Sequence, residues 1–167
     1  AASVQNAGTC LAVSLYLGIT GSDFSVKAQQ LPAIDMRLQV LPAINRCSVI
    51  NDSYSLDQRS LQVALDLLNQ QLSSKTLILS DIPGLREPEQ PHAYQEMADL
   101  IRNKKVHRVI TVGPVWKRFA AFLQVPVLEQ YDSTQAFIRS FQPGQYKEEA
   151  ILLKGARCFQ FEEIFYL

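Results

Sequence analysis

The stretch from Cys47 to Leu68 limits the possible folds most strongly. A short β-branched run ends on Asn51 and Asp52, passes through a loop, and continues into a segment whose apolar residues recur at helical spacing. This order of strand, loop and helix predicts the first βα unit of a parallel sheet. Side chains at the carboxyl end of such a strand face the crevice where open α/β sheets bind ligands. Asn51, Asp52 and Tyr54 are therefore the first candidate site residues.

Strands and helices alternate through the second half of the chain. Apolar runs at 76–79, 106–112 and 150–153 predict buried strands, and the run at 125–128 predicts a strand near an edge because it contains a proline. The closing segment, 161–167, fits either helix or strand. Strands separated by helices of this length predict an α/β fold, a Rossmann-like and mostly parallel sheet of five or six strands with helices on both faces.

The first part of the chain has a different pattern. Residues 1–33 predict a pair of helices and no strand, whereas residues 34–167 carry the predicted sheet. The alternation at 36–40, which includes Arg37, predicts an edge strand at the start of the sheet domain. Two structural parts are therefore expected.

The first helix of the pair carries an apolar stripe formed by Leu11, Leu15 and Tyr16. An apolar stripe of this kind needs a covering surface. We expect the helical pair to pack on the sheet domain or on a second copy of the chain, which predicts a homodimer as one outcome.

Charge and cysteine content exclude several classes of protein. Sixteen basic and sixteen acidic residues cancel, so no overall basic field would recruit nucleic acid or an anionic membrane. Three cysteines without CxxC spacing argue against a disulfide framework and against a zinc site, and we predict no metal site in the chain. The longest apolar stretch is too short to span a bilayer, and no targeting segment is recognisable. A cytoplasmic protein without membrane insertion is expected.

Five pieces of the sequence share a resemblance in their order and spacing. They are Arg37 within 36–40, then 50–54, 80–82, 109–113 and 152–157. Together they resemble the C-terminal domain of the Mur ligase family. The similarity is greatest to members that add D-alanyl-D-alanine to UDP-N-acetylmuramoyl-tripeptide, and the ending also resembles the ligase half of ligase and alanine racemase fusions.

The resemblance implies a place for this chain within a longer enzyme. Residues 1–33 would be the last helices of a central ATP-binding domain, and 34–167 would be the C-terminal domain. The implied reaction is ATP-dependent amide formation through an acyl phosphate, with ATP and Mg²⁺ bound by the full-length parent. The sequence contains no G-x-x-x-x-G-K-[ST] loop to hold a triphosphate, so this chain alone should bind neither and be inactive.

The resemblance also implies roles for residues that contact the nucleotide. Arg37 would be catalytic and would contact the nucleotide phosphates, because a guanidinium can meet phosphate oxygens with two hydrogen bonds. Asn6 would contact the adenine, and Asp52 the ribose. Tyr54 is a further candidate for nucleotide binding, although an aromatic residue in a loop is more often packed than bound to a ligand.

A second group of implied roles concerns the incoming dipeptide. Lys154 and Arg157 would bind its carboxylate from the carboxyl end of another strand. The sequence departs from the family pattern at Ser55, Leu56 and Asp57, where the family has Asn-Ala-Asn, and at Ala156, where it has Ser. These departures bear on the details of substrate contact.

Three alternatives remain open at this point. The chain could come from another Mur ligase or from a folylpolyglutamate synthase. It could also be a non-catalytic Rossmann-like binding module, because a fold does not determine a function. The absence of G-x-G-x-x-G after the first strand argues against an independent dinucleotide site.

Overall fold

The structure, a computed structural model, describes residues 2–31 and 35–166. The chain divides into two compact units, Ala1–Ile34 and Asp35–Leu167. The boundary predicted between residues 33 and 34 lies outside the described residues. The assignment of the first unit to a central ATP-binding domain stays a prediction.

The first unit contains two helices, α1 (Ala2–Tyr16) and α2 (Gly21–Gln29). Helix α2 begins at Gly21 because the Thr20 hydroxyl accepts a hydrogen bond from the Asp23 amide at 3.2 Å. The apolar stripe of α1 is largely uncovered, since Leu15 is 51% exposed and Tyr16 is 90% exposed. Packing of this stripe on the sheet domain or on a second copy remains a prediction.

The second unit is built on one six-stranded sheet. Its strands are β1 (Gln39–Pro42), β2 (Ser48–Asp52), β3 (Ser74–Ser80), β4 (Arg108–Val112), β5 (Val127–Tyr131) and β6 (Glu149–Lys154). They lie in the order β1-β2-β6-β3-β4-β5. Strand β1 runs antiparallel to β2, with Val40 opposite Ile50, and every other pairing is parallel. The predicted Rossmann-like, mostly parallel sheet is confirmed.

Helices cover both faces of this sheet, as predicted. The helices of the second unit are α3 (Gln58–Asn69), α4 (Gln90–Arg102), α5 (Val115–Arg118) and α6 (Thr134–Ser140). Buried residues of α3, α4 and α5 form one core with Ile50 and Leu152. Phe137 of α6 and Phe161 form the other core with Ile151. Alternate residues of each strand thus supply the two cores.

Two sequence predictions need correction at the ends of the second unit. The strand predicted at 36–40 begins only at Gln39, because Met36 and Leu38 have left-handed backbone angles, φ 59° and φ 50°. Arg37 therefore lies in a bend before the edge strand. The closing segment is neither α-helix nor strand but 3₁₀-helix at Phe161–Tyr166, and Leu167 lies outside the described residues.

Asp81 organises the carboxyl ends of β3 and β4. Its carboxylate accepts hydrogen bonds from the amides of Val115 at 2.8 Å and Trp116 at 2.9 Å, and so holds the start of α5. Burial raises the pKa of Asp81, although these two hydrogen bonds oppose the shift. A Cβ atom at Gly113 would lie 2.2 Å from Asp81 Oδ2, and Gly113 has φ +123°, so this close approach requires glycine.

Candidate functional site

Two arginines meet on one tyrosine ring at the carboxyl edge of the sheet. The guanidinium carbon of Arg37 lies 4.5 Å from the centre of the Tyr54 ring, and that of Arg157 lies 5.8 Å from the same centre. Arg37 Nη1 is also 3.5 Å from the Ser55 hydroxyl. Both guanidinium groups are exposed, and neither forms an ion pair with a carboxylate in the described part of the chain. We call Arg37, Tyr54 and Arg157 the arginine pair site.

A buried ion pair lies beneath this site. Lys154 Nζ donates a hydrogen bond to Asp52 Oδ2 at 2.7 Å and a second to the Ser55 carbonyl oxygen at 2.8 Å. Asp52 Oδ1 accepts a hydrogen bond from the Leu38 amide at 3.3 Å. Asp52 and Lys154 are paired across β2 and β6 in the sheet register, which places the two side chains together. The two strand ends are thereby tied to the segments that carry the arginine pair site.

The position of Lys154 differs from the sequence prediction. Lys154 is the last residue of β6 rather than a loop residue, and it is 0% exposed. Burial lowers the pKa of Lys154, while the hydrogen bond and charge of Asp52 oppose the shift. The charge of Lys154 is thus paired with Asp52 inside the protein, and its contact with a substrate carboxylate stays a prediction.

The turn that follows β6 is held by Ser80. The Ser80 hydroxyl accepts a hydrogen bond from the Ala156 amide at 3.1 Å. Gly155 lets the turn pass close to the ring of Phe161, since a Cβ atom there would lie 2.8 Å from Phe161 Cε2. The Arg157 amide then donates to the Tyr54 carbonyl oxygen at 3.1 Å. These contacts fix the backbone of Arg157 beside the loop that carries Tyr54.

The loop after β2 ends in a reciprocal helix cap. Asp57 Oδ1 accepts a hydrogen bond from the Ser60 amide at 2.9 Å, and the Asp57 amide donates to the Ser60 hydroxyl at 3.2 Å. Partial burial alone would raise the pKa of Asp57, but the hydrogen bonds from Ser60, the charge of Lys154 and the hydrogen bond from the Arg59 amide together lower it. This cap fixes the start of α3.

The structure brings most of the predicted site residues together in the second unit. Arg37, Asp52, Tyr54, Lys154 and Arg157 surround the carboxyl ends of β2 and β6. Asn6 lies on α1 of the first unit, where its side chain is exposed. The site roles of these residues stay predictions.

Asn51 is placed differently from a residue that faces a ligand crevice. It is 4% exposed, and its Oδ1 accepts a hydrogen bond from the Ser53 hydroxyl at 2.7 Å. Sequence reasoning overlooked the roles of Ser55 and Ser80. The available signal was their place near the carboxyl ends of two strands, because Ser80 is the last residue of β3 and Ser55 follows shortly after β2.

The guanidinium N–H donors of Arg37 and Arg157 favour an oxyanion as the ligand. Two exposed guanidinium groups without carboxylate partners can each offer paired N–H donors to a phosphate or carboxylate. The site fits Mg²⁺ poorly, because the carboxylates of Asp52 and Asp57 are engaged by Lys154 and Ser60. The fold and site together define a Rossmann-like α/β domain with a pair of exposed arginines at the carboxyl edge of its sheet.

Comparison with known proteins identifies what this domain is similar to. The chain is 26% identical, over 172 residues, to UDP-N-acetylmuramoyl-tripeptide--D-alanyl-D-alanine ligase of Bacillus subtilis, and the match covers 97% of this chain and 36% of the relative. The chain thus spans about a third of the length of the curated relative that it matches. No family model matches the chain.

Solved structures show the same likeness. A crystal structure of MurF from Acinetobacter baumannii superposes with a TM-score of 0.75 at 24% identity, covering 98% of this chain and 36% of that protein. MurF from Thermotoga maritima in complex with ADP gives a TM-score of 0.66 at 16% identity, covering 93% of this chain and 35% of that one. These likenesses confirm the resemblance to a Mur ligase of the MurF type and are consistent with its C-terminal domain.

One structural property bears on membrane association. Among the helices of residues 2–31 and 35–166, none is long and apolar enough to cross a bilayer.

Proposed function

We propose that this chain is the C-terminal part of an ATP-dependent ligase that adds D-alanyl-D-alanine to UDP-N-acetylmuramoyl-tripeptide in the cytoplasm. The likeness to the Bacillus subtilis ligase over nearly the whole chain supports this function. The observation that carries it is the arginine pair site, whose two exposed guanidinium groups have no carboxylate partner among residues 2–31 and 35–166 and lie at the edge of the sheet where α/β domains bind ligands. Residues 1–33 would belong to the central domain of the parent, and residues 34–167 would form the C-terminal domain.

The proposed reaction has two steps that balance without any other reactant. The carboxylate of the tripeptide attacks the γ-phosphorus of ATP, which forms an acyl phosphate and releases ADP. The amine of D-alanyl-D-alanine then attacks the acyl carbon, loses a proton, and expels inorganic phosphate as the amide bond forms. Both steps place negative charge on phosphoryl oxygens, where a fixed cation is most useful.

Each exposed residue of the site has a proposed part in this reaction. Arg37 contacts the transferring phosphoryl group when the domain closes over the nucleotide, and its charge acts mainly in the transition state. Arg157 binds the carboxylate of the incoming dipeptide and orients its amine. Tyr54 presents its ring to both guanidinium groups and lies close to the nucleotide.

Two further contacts remain predictions for the closed enzyme. Asn6 would reach the adenine, and Asp52 the ribose, in addition to the contacts that Asp52 makes here. We assign Mg²⁺ and the triphosphate to the part of the parent that supplies a phosphate-binding loop, because the carboxylates of this site are already engaged. The chain alone therefore should not turn over ATP.

The apolar stripe of α1 is consistent with this proposal. Leu15 and Tyr16 are exposed in the chain, and a neighbouring domain of the parent would cover them. A second copy of the chain is the other predicted partner for this surface.

The experiment that tests the proposal is a ligation assay on the full-length parent. We expect ADP release that requires both UDP-N-acetylmuramoyl-tripeptide and D-alanyl-D-alanine, with one amide product whose mass is the sum of the two substrates less one water. Replacing the dipeptide with single amino acids, glutamate among them, separates this function from that of another Mur ligase or a folylpolyglutamate synthase. ADP release with glutamate and not with the dipeptide would overturn the assignment.

A further inference from the structure

The ion pair between Asp52 and Lys154 has an unusual place in the second unit. Its two members are the last residues of adjacent parallel strands, and Lys154 is fully buried. Burying an ion pair in such a position costs desolvation energy, so a gain in folding stability is a weak explanation for its presence. The contacts of this ion pair with the surrounding backbone indicate a role in positioning nearby segments.

The pair reaches both segments that carry the arginine pair site. Asp52 accepts a hydrogen bond from the amide of Leu38, which directly follows Arg37 in the chain. Lys154 donates to the carbonyl oxygen of Ser55, the residue directly after Tyr54. The pair thus holds the Arg37 bend and the Tyr54 loop at fixed positions relative to the ends of β2 and β6.

We propose that Lys154 is a positioning residue, which through Asp52 and Ser55 sets the geometry in which Arg37 and Arg157 meet on Tyr54. Its charge is matched by Asp52, and two of its three ammonium hydrogens are used within the protein. In this proposal Lys154 arranges the groups that contact the ligand, which replaces the direct contact with the dipeptide carboxylate predicted from the sequence. The positioning role stands on the geometry of the chain itself, whereas the identity of the ligand rests on the proposed function.

The first test replaces Lys154 in the chain of residues 1–167 and observes the site by nuclear magnetic resonance. In Lys154→Met, the side-chain protons of Arg37 and Arg157 should lose the ring-current shifts caused by Tyr54. The Leu38 and Arg157 amides should exchange with solvent about tenfold faster, the change expected when roughly one hydrogen bond's worth of local protection is lost. Lys104→Met is the matched control, because Lys104 also pairs with an aspartate, Asp66, but on the surface.

A general loss of stability gives a different pattern. Slowly exchanging amides of the central strand β3 would then accelerate together with those of the site. Since Lys154→Met leaves Asp52 charged and buried, this variant risks unfolding. The variant Asp52→Asn combined with Lys154→Met removes both charges and keeps an oxygen acceptor for the Leu38 amide. In this variant the Tyr54 ring-current shifts should again be lost from both arginines, because the Ser55 carbonyl oxygen has lost its donor.

A titration with inorganic pyrophosphate separates the positioning role from the proposed function. If the chain binds pyrophosphate, the folded double variant should bind it about tenfold more weakly, the loss that follows when one arginine leaves the site. If the wild-type chain binds no pyrophosphate, the anion site of the proposed function is wrong, while the ring-current shifts still decide the role of Lys154. Unchanged ring-current shifts in a folded Lys154→Met variant or double variant would overturn the positioning role.

Discussion

The guanidinium carbon of Arg37 lies 4.5 Å from the centre of the Tyr54 ring, although strands β1 and β2 lie between the two positions in the chain. A cation over an aromatic face is attracted by the ring, and the interaction is stronger where solvent is partly excluded. Tyr54 is 43% exposed, so it forms a half-open platform. The ring keeps a charged group, which would otherwise move freely in water, at the edge of the sheet.

The first prediction concerns this platform. In the full-length parent, Tyr54→Ala should lower kcat/KM by about tenfold, because Arg37 loses a contact of roughly 1 kcal/mol and a fixed position. Tyr54→Phe should retain most of the activity, since it keeps the ring. Steady-state kinetics of both variants provide the measurement. Equal damage from the two substitutions would indicate that the hydroxyl, rather than the ring, carries the role of Tyr54.

The second prediction tests the close approach of Gly113 to Asp81. Gly113→Ala should lower the free energy of unfolding by about 2 kcal/mol or more, because the added Cβ clashes with the Asp81 carboxylate and strains a positive φ. Gly144→Ala is the matched control, since a Cβ at Gly144 meets nothing within 4 Å. Urea denaturation measures both variants. A Gly113→Ala protein as stable as the Gly144→Ala protein would show that the turn accommodates the change.

The third prediction uses pH to distinguish a helix cap made by a carboxylate from one made by a hydroxyl. At pH 7, Asp57→Ala should cost about 1 kcal/mol of unfolding free energy, the usual value of a lost cap. Because the folded state lowers the pKa of Asp57 below 3.8, the stabilisation is present above that pH and is lost as the pH falls through the folded value. The difference between wild type and Asp57→Ala should therefore shrink in acid.

Ser133→Ala provides the control for the third prediction. The Ser133 hydroxyl caps α6 by accepting a hydrogen bond from the Ala136 amide at 3.1 Å, and it does not titrate. The loss of unfolding free energy in Ser133→Ala should stay constant over the same pH range when measured by urea denaturation. A pH-independent cost for Asp57→Ala as well would contradict the role of the ionised carboxylate.

The fourth prediction is that the chain of residues 1–167 alone neither hydrolyses ATP nor forms peptide bonds. The sequence lacks a phosphate-binding loop of the G-x-x-x-x-G-K-[ST] type, so it has no backbone cradle for a triphosphate. ADP release measured with a coupled assay should equal the background of a mock purification. Turnover at the rate of a full ligase would show that this expectation is wrong.

Local patterns made the architecture predictable. The β-branched run before Asp52 and the helical spacing of Leu61, Leu65 and Leu68 each involve only neighbouring residues, and both elements occur as expected. Alternation of such units is enough to specify a mostly parallel sheet. The carboxyl edge of the sheet, and therefore the general location of the site, followed from the same reasoning.

The detailed geometry of the site depends on contacts that local patterns do not contain. Lys154 is buried because it meets Asp52, a partner 102 positions away in the chain. Arg37 leaves the expected strand because Met36 and Leu38 adopt left-handed conformations, which are unfavourable for such residues and unmarked by any glycine. The hydrogen bond from the Leu38 amide to Asp52 accompanies this bend. Tertiary contacts thus decide which cations are exposed.

The most direct test of the account is the kinetic effect of Arg37→Ala in the full-length parent. We expect kcat to fall by about a hundredfold or more, while binding of UDP-N-acetylmuramoyl-tripeptide changes little, because Arg37 acts on charge that develops in the transition state. Arg37→Lys should recover part of the rate, since lysine keeps the charge but not the planar fork. Arg139→Ala, at an exposed arginine on α6, should retain normal turnover. Wild-type turnover in a folded Arg37→Ala enzyme would contradict the account and return Arg37 to the role of a solvated surface cation.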